Sequence, residues 1–249
     1  MARGMATPVS SKEQLKVKMK ENFYTAFPWP IDWKYSTRSR RLSLRINPRT
    51  GGVVLSLPQN FPKEKALLFL KAHQKWVTAQ LDALPPPAVQ SNEIYIEGKI
   101  FPIVRIPALP SFLPKLYPDR LVIREHDQNE SLRIEAFLKA RAKTRLPASF
   151  QRWCEIMGTS PSRITLRDAK TRWGSCNVQG AIMLNWRLIL APKSVQDYVI
   201  IHELAHLTHF NHSADFWALV ENFCPNGKIG RKESEKWLKK HGIKLQRTV

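Results

Sequence analysis

His202, Glu203 and His206 form an HExxH pattern inside the stretch 194–210, where Val199, Ile200, Leu204, Ala205 and Leu207 surround it with apolar side chains. No other part of the chain constrains the fold as strongly. The pattern predicts a helix buried on most faces, with Ser194 placed to cap its N-terminus and Asp197 in its first turn. Residues four apart on a helix differ by only ~40° in direction and one turn in height. Both imidazoles therefore address a single ion, and Glu203, one position further round, reaches a water held by the same metal. Polar side chains in so apolar a helix need partners, and a metal supplies them.

A catalytic zinc usually takes three protein ligands and one water, so a third ligand must come from elsewhere. His209 shares a face with His202 but sits ~10 Å further along the axis, beyond comfortable reach of an ion held by His202 and His206. His212 lies past the expected helix end. Asn211 tolerates the left-handed conformation with which a turn at 210–211 brings His212 back. The favoured ligands are therefore His202, His206 and His212, with His209 behind them or at the surface. Glu221, Glu233 and Glu235 are weaker candidates for the third position.

The surroundings read as an α+β chain. Residues 1–34 form a basic, loose tail and residues 35–130 a mixed β/α region; residues 131–249 carry the metal motif. Leu42, Leu44 and Ile46 alternate with charged and polar residues, and Gly51-Gly52 turns the chain into Val53, Leu55 and Leu57, which predicts a hairpin. The pattern turns helical over 62–84, then extended at 93–105 and 120–124, with a proline-bearing loop at 107–118 between them. A long helix follows over 131–157, with Pro147 as a kink or break and Gly158 as its cap. Strands at 163–172 and 180–190 flank a loop at 173–177, and helices are expected over 213–223 and 233–240.

Charge divides the 249 residues differently. The formal net charge is +20, which favours anionic partners at long range. Residues 1–50 carry 11 basic and 3 acidic side chains, residues 131–175 carry 10 and 3, and residues 226–249 carry 8 and 2. The stretch 176–225, with four of the seven histidines, has Arg187 and Lys193 against Asp197, Glu203, Asp215 and Glu221. The presumed chemistry thus lies in the acidic segment. Phe27, Trp29, Trp33 and Tyr35 near Arg38, Arg40 and Arg41 are residue types that stack bases and contact phosphates, although such residues more often pack a sheet.

Three cysteines, 154, 176 and 224, make no closed disulfide set and no CxxC pair, so they read as reduced cytoplasmic thiols. Cys176 has no base beside it and reads as a buried thiol. No apolar run approaches membrane-spanning length, and the N-terminus has no apolar core of a secretion signal. Arg172, Trp173, Ser175 and Asn177 have turn chemistry and are candidates to line the site. Asn185, Trp186 and Arg187 could offer a strand edge to a peptide, with core packing the commoner role for Trp186. Arg172 or Arg187 would suit an oxyanion or a phosphate.

The segments HELAHLTHFNHSADFWALV (202–220), TRWGSCN (171–177), LNWRLILAP (184–192) and RSRRLSLRINPRTGGVVLSLP (38–58) together resemble the YgjP-like metallopeptidase domain family, relatives of the SprT-like zincins, over roughly 35–240. The resemblance implies a zincin-like core of antiparallel strands and an HExxH helix. It also implies a zinc-dependent hydrolase with His202, His206 and His212 as ligands and Glu203 as acid/base. Peptidase activity is the family's usual assignment, and nucleotide hydrolysis has also been ascribed to it. The basic N-terminal extension and the insertion at 107–118 depart from typical members.

Three functions follow. The first is a zinc peptidase acting on peptides, and the second a metal-dependent nucleoside triphosphate hydrolase. The third is a nucleic-acid-associated protein with structural zinc, which has no need of Glu203 beside its ligands.

Overall fold

In the computed structural model, which describes residues 27–248, the chain opens with strands β1 (Ile31–Ser36), β2 (Ser43–Asn47) and β3 (Gly52–Pro58). The expected hairpin is β2–β3, with Ile46 opposite Val53 and Leu44 opposite Leu55. β1 adds in parallel on the far side of β3. Ile31 to Lys34, expected in the tail, are therefore strand, and the rest of that tail through residue 26 lies outside the described residues. Instead of one helix over 62–84 there are two, α1 (Lys63–Ala72) and α2 (Gln74–Asp82). The break is His73, whose Nδ1 lies 2.8 Å from the Phe69 carbonyl oxygen, a side-chain contact that competes with the backbone ladder. Ala66, Leu70 and Val77 close the sheet's core with Trp29, Val53, Leu55 and Leu57. Trp29 is thus buried, Phe27 stacks on it at 4.8 Å, and Tyr35 stays exposed.

This first compact unit ends at Ala83, and a second runs from Leu84. The boundary expected at 130–131 falls inside the second unit, because Ile94, Ile96, Ile103, Leu121 and Ile123 share one core with Leu138, Leu184 and Ile201. After the short α3 (Ala88–Ser91), strands β4 (Glu93–Ile96), β5 (Lys99–Ile106), β6 (Lys115–Leu116) and β7 (Leu121–Arg124) form a sheet in the order β4-β5-β7-β6. The β4–β5 turn docks on the chain just before the HExxH helix, with Glu97 and Gly98 amides donating to the Ile189 and Leu190 carbonyls.

Helix α4 (Glu130–Met157) runs unbroken through Pro147 and ends on the left-handed Gly158. The amide that proline lacks would have bonded to the carbonyl of Lys143, in a stretch, 143–145, that is exposed to solvent. Its core stripe is Ile134, Leu138, Ala142, Leu146, Phe150 and Trp153, while Leu132 stays exposed.

The next sheet departs further from expectation. β8 (Arg163–Arg167) and β10 (Ala181–Asn185) pair in parallel, and the expected loop is itself a strand, β9 (Gly174–Cys176), antiparallel to β10. Parallel neighbours need a crossover, and residues 168–180 provide it by way of β9. Residues 186–190 coil into a 3₁₀ turn instead of continuing the strand, with the Arg187 amide donating to Asn185 Oδ1. Helices α5 (Lys193–Ala205), α6 (Ala214–Phe223) and α7 (Gly227–Gln246) complete the chain. α5 begins after Pro192 and takes no side-chain cap from Ser194; α7 is far longer than the expected 233–240. Among the described residues no helix is long and apolar enough to cross a membrane.

Candidate metal centre

HExxH occupies the last turn of α5, which ends at Ala205 with His206 as its cap. Tight turns replace the expected continuation to residue 210: the amides of Leu207, Thr208 and His209 donate to the carbonyls of Leu204, Ala205 and Ala205. The chain then reverses without a left-handed Asn211. Ser213 caps α6 by accepting from the Phe216 amide at 3.4 Å. The reversal delivers His212 to its partners. Ligand atoms of His202, His206 and His212 all lie within 4.8 Å of one another. His202 Nε2 and His212 Nε2 are 3.2 Å apart, close to the ~3.3 Å edge of a tetrahedron with nitrogens ~2.05 Å from its centre.

The second side of each ring matters as much. His206 Nδ1 sits 3.0 Å from the carbonyl oxygen of His209, which fixes that ring from behind. His209 thus serves the site through its backbone. His202 Nδ1 is buried without a hydrogen-bond partner among the described residues, so packing holds its ring. Phe216, fully buried, lies 5.0 Å from the His202 ring, 4.6 Å from His206 and 4.7 Å from His212. Trp217 and Tyr198 flank His202.

Burial, followed by the neighbouring histidines, lowers the His202 pKa to about 3, and burial likewise lowers that of His206. Neutral imidazoles keep a lone pair for an ion, so the donor set fits a borderline-soft divalent cation such as zinc.

Glu203 is 6% exposed and lies against β9. A methyl group placed on Gly174 would come 2.4 Å from Glu203 Oε1, so only glycine leaves room for the carboxylate there. Burial raises its pKa to about 8, against the opposing pull of Arg172. Cys176, on the same strand, is a protonated thiol whose pKa rises through burial and the Glu203 charge.

The remaining sequence candidates divide. Arg172 is exposed and acts electrostatically on Glu203, and Ser175 and Asn177 share a cavity with it. Trp173 packs against the core and against Gly242. Asn185 and Arg187 are not available to a substrate. Asn185 is buried and donates to the carbonyls of Ala169 (2.8 Å) and Arg172 (3.2 Å). Arg187 is 2% exposed, stacks over Trp186 and donates to Asp168 Oδ1 at 3.0 Å. Trp186 is core. The edges of this sheet are β8 and β9, and β9 is the one beside Glu203.

Glu221 and Glu235 are held by Arg231 at 2.9 and 2.8 Å, and Glu233 is exposed, so none joins the histidine cluster. Sequence reasoning missed Gly174, Phe216, Trp217 and Arg231. The one signal was position: Phe216 and Trp217 follow His212 by four and five residues on a helix.

Three histidines converging from a helix end and the turn after it, with a buried carboxylate between that helix and a sheet edge, define the class of metal-dependent hydrolases. The chain belongs to the YgjP-like family, whose metallopeptidase domain matches residues 40–241. No curated protein matches it. Among solved structures it is similar to the metallopeptidase zymogen abylysin of Pyrococcus abyssi, at 24% identity and a TM-score of 0.34, covering 38% of this chain and 93% of that one. It is also similar to the metallopeptidase zymogen jannalysin of Methanocaldococcus jannaschii, at 19% identity and a TM-score of 0.35, covering 39% and 96%.

Proposed function

We propose that this metallopeptidase is zinc-dependent, that His202, His206 and His212 hold the ion, and that Glu203 is the general base of peptide hydrolysis. The observation that carries the reading is the convergence of three imidazoles, those of His202 and His206 held neutral by burial, beside a buried carboxylate seated on Gly174. A zinc ion, when bound, lowers the pKa of a water and polarises the substrate carbonyl. The protein's own groups do the rest. Glu203 accepts the proton at a carboxylate oxygen and returns it to the leaving amine. Its high pKa falls when positive charge is brought beside it, so loading the site readies the base. The edge strand β9 offers backbone groups to an extended peptide, which places a scissile carbonyl beside Glu203. Arg172, exposed next to that edge, suits the developing oxyanion.

The test compares wild type, Glu203→Gln and His212→Ala for zinc content and for turnover of casein-derived peptides and nucleoside triphosphates. Glu203→Gln is expected to keep zinc and lose ~10³-fold or more in peptide turnover, and His212→Ala to lose the metal. Triphosphate turnover alone, abolished by Glu203→Gln, would overturn the peptidase assignment. Full zinc retention by His212→Ala would overturn the ligand set.

A further inference from the structure

The β8–β10–β9 sheet has two unlike faces. Ile182 and Leu184 point into the core, and Gly174 faces Glu203. The alternate residues look the other way. Register places Thr165 beside Met183 and Met183 beside Ser175, with Arg163 beside Ala181 and Arg167 beside Asn185. Arg163, Thr165, Arg167 and Ser175, joined by Arg172 and Asp168, line a cavity of about 420 Å³ on that outer face.

Arg163, Arg167 and Arg172 are exposed, and among the described residues none of their guanidinium groups donates a hydrogen bond or enters an ion pair; Arg172 acts on Glu203 through space only. Asp168, the one carboxylate in the lining, is already engaged by Arg187 at 3.0 Å. Arg163 and Arg167, four residues apart on one strand, have Cα atoms ~13 Å apart. A small anion binds one of them, whereas a polyanion binds both. β10, between two partners, has its backbone groups taken up in the sheet, so a peptide finds no strand pairing on the floor of this face. A phosphodiester chain needs none, because its backbone carries the charge that arginine forks grip. No aromatic side chain lines the cavity, so bases are not stacked or read there.

We propose that this outer face, through Arg163, Arg167 and Arg172, is a sequence-independent binding site for the phosphodiester backbone of nucleic acid. The net charge of +20 steers the polyanion toward the protein, and the three arginines hold it. Arg163 and Arg167 lie on the face away from Glu203, while Arg172 lines the cavity and also acts on Glu203, so binding through the two strand arginines does not rest on the peptidase reading.

Fluorescence anisotropy of the full chain with a labelled duplex of about 20 base pairs, at salt from about 50 to 200 mM, tests this. Arg163→Gln/Arg167→Gln is expected to weaken binding about tenfold or more and to flatten the slope of log K against log salt by about 2. Arg163→Lys/Arg167→Lys is expected to keep most of that slope. Thermal melting of both variants confirms that the fold persists. The proposal is overturned if wild type fails to bind at the lowest salt, if the glutamine variant keeps wild-type affinity and slope, or if poly-glutamate displaces the duplex at equal charge concentration.

Discussion

The two ends of α5 each bury a carboxylate, and they treat it in opposite ways. Asp197, at 5% exposure, accepts from Trp153 Nε1 at 2.8 Å and Ser149 Oγ at 3.1 Å, and pairs with Lys193. Glu203, at 6%, accepts no hydrogen bond among the described residues and carries a pKa of about 8. The helix adds to the difference. Glu203 sits in its last turn, where the dipole opposes negative charge, whereas Asp197, expected in the first turn, lies beyond it because α5 begins at Lys193, and its partners alone hold its charge. Equal burial therefore yields a hydrogen-bonded structural anchor at one end and, at the other, a carboxyl without hydrogen-bond donors whose pKa is raised. Partners and dipole decide which, and exposure alone does not.

The sharpest way to break this contrast is Asp197→Ala. It leaves the Trp153 indole and the Ser149 hydroxyl without their acceptor, while Lys193 stays exposed and bonded to Ser149, and is expected to cost ~2–3 kcal/mol in urea unfolding while zinc stoichiometry is unchanged. A loss below ~1 kcal/mol would mean that Asp197 is no anchor. Next is Gly174→Ala, whose new methyl group meets the Glu203 carboxylate at 2.4 Å. It is expected to cost ~2 kcal/mol through overpacking and to lower kcat/KM at least tenfold with zinc retained; wild-type turnover would show that Glu203 is not seated on β9.

The smallest effect is a pH slope in metal-free protein. Glu203 has a folded pKa of about 8 against an ordinary value of 4.5, so between these values the folded state binds more protons than the unfolded one, and stability falls as pH rises. The lowered pKa values of His202 and His206 act in the opposite sense, but only below about pH 6.5, where unfolded histidine takes up protons. From pH 6.5 to 8 the slope therefore belongs to Glu203. Wild type is expected to lose ~1 kcal/mol across that window, and Glu203→Gln to show no such loss.

Local patterns were legible wherever one stretch of chain settles its own structure. The hairpin needs only the alternation of Leu44 and Ile46 and the turn at Gly51, and the length of α4 follows from its stripe of Leu138, Ala142, Phe150 and Trp153. HExxH spacing depends on helix geometry alone. What could not be read depended on distant partners. Residues 173–177 look like a loop because β9 is a strand only by pairing with β10. Arg187 looks like an anion binder until Asp168 and the Leu245 carbonyl close around it. Residues 84–130 look separate until their apolar side chains meet those of α4 and α5 in one core.

The amino-acid sequence by itself determined that two histidines and a glutamate share one helix turn, that a third histidine follows within reach, and that this acidic segment sits in a strongly basic chain. Only the tertiary structure decided that His212 returns to its partners and that Phe216 touches all three rings. It also decided that Glu203 is seated on a glycine with no hydrogen-bond donor, and that three arginines share an open face. The reason is range. Periodicity and spacing act over a few residues of backbone, whereas burial, pairing and the pKa of a carboxylate depend on side chains that only folding brings together.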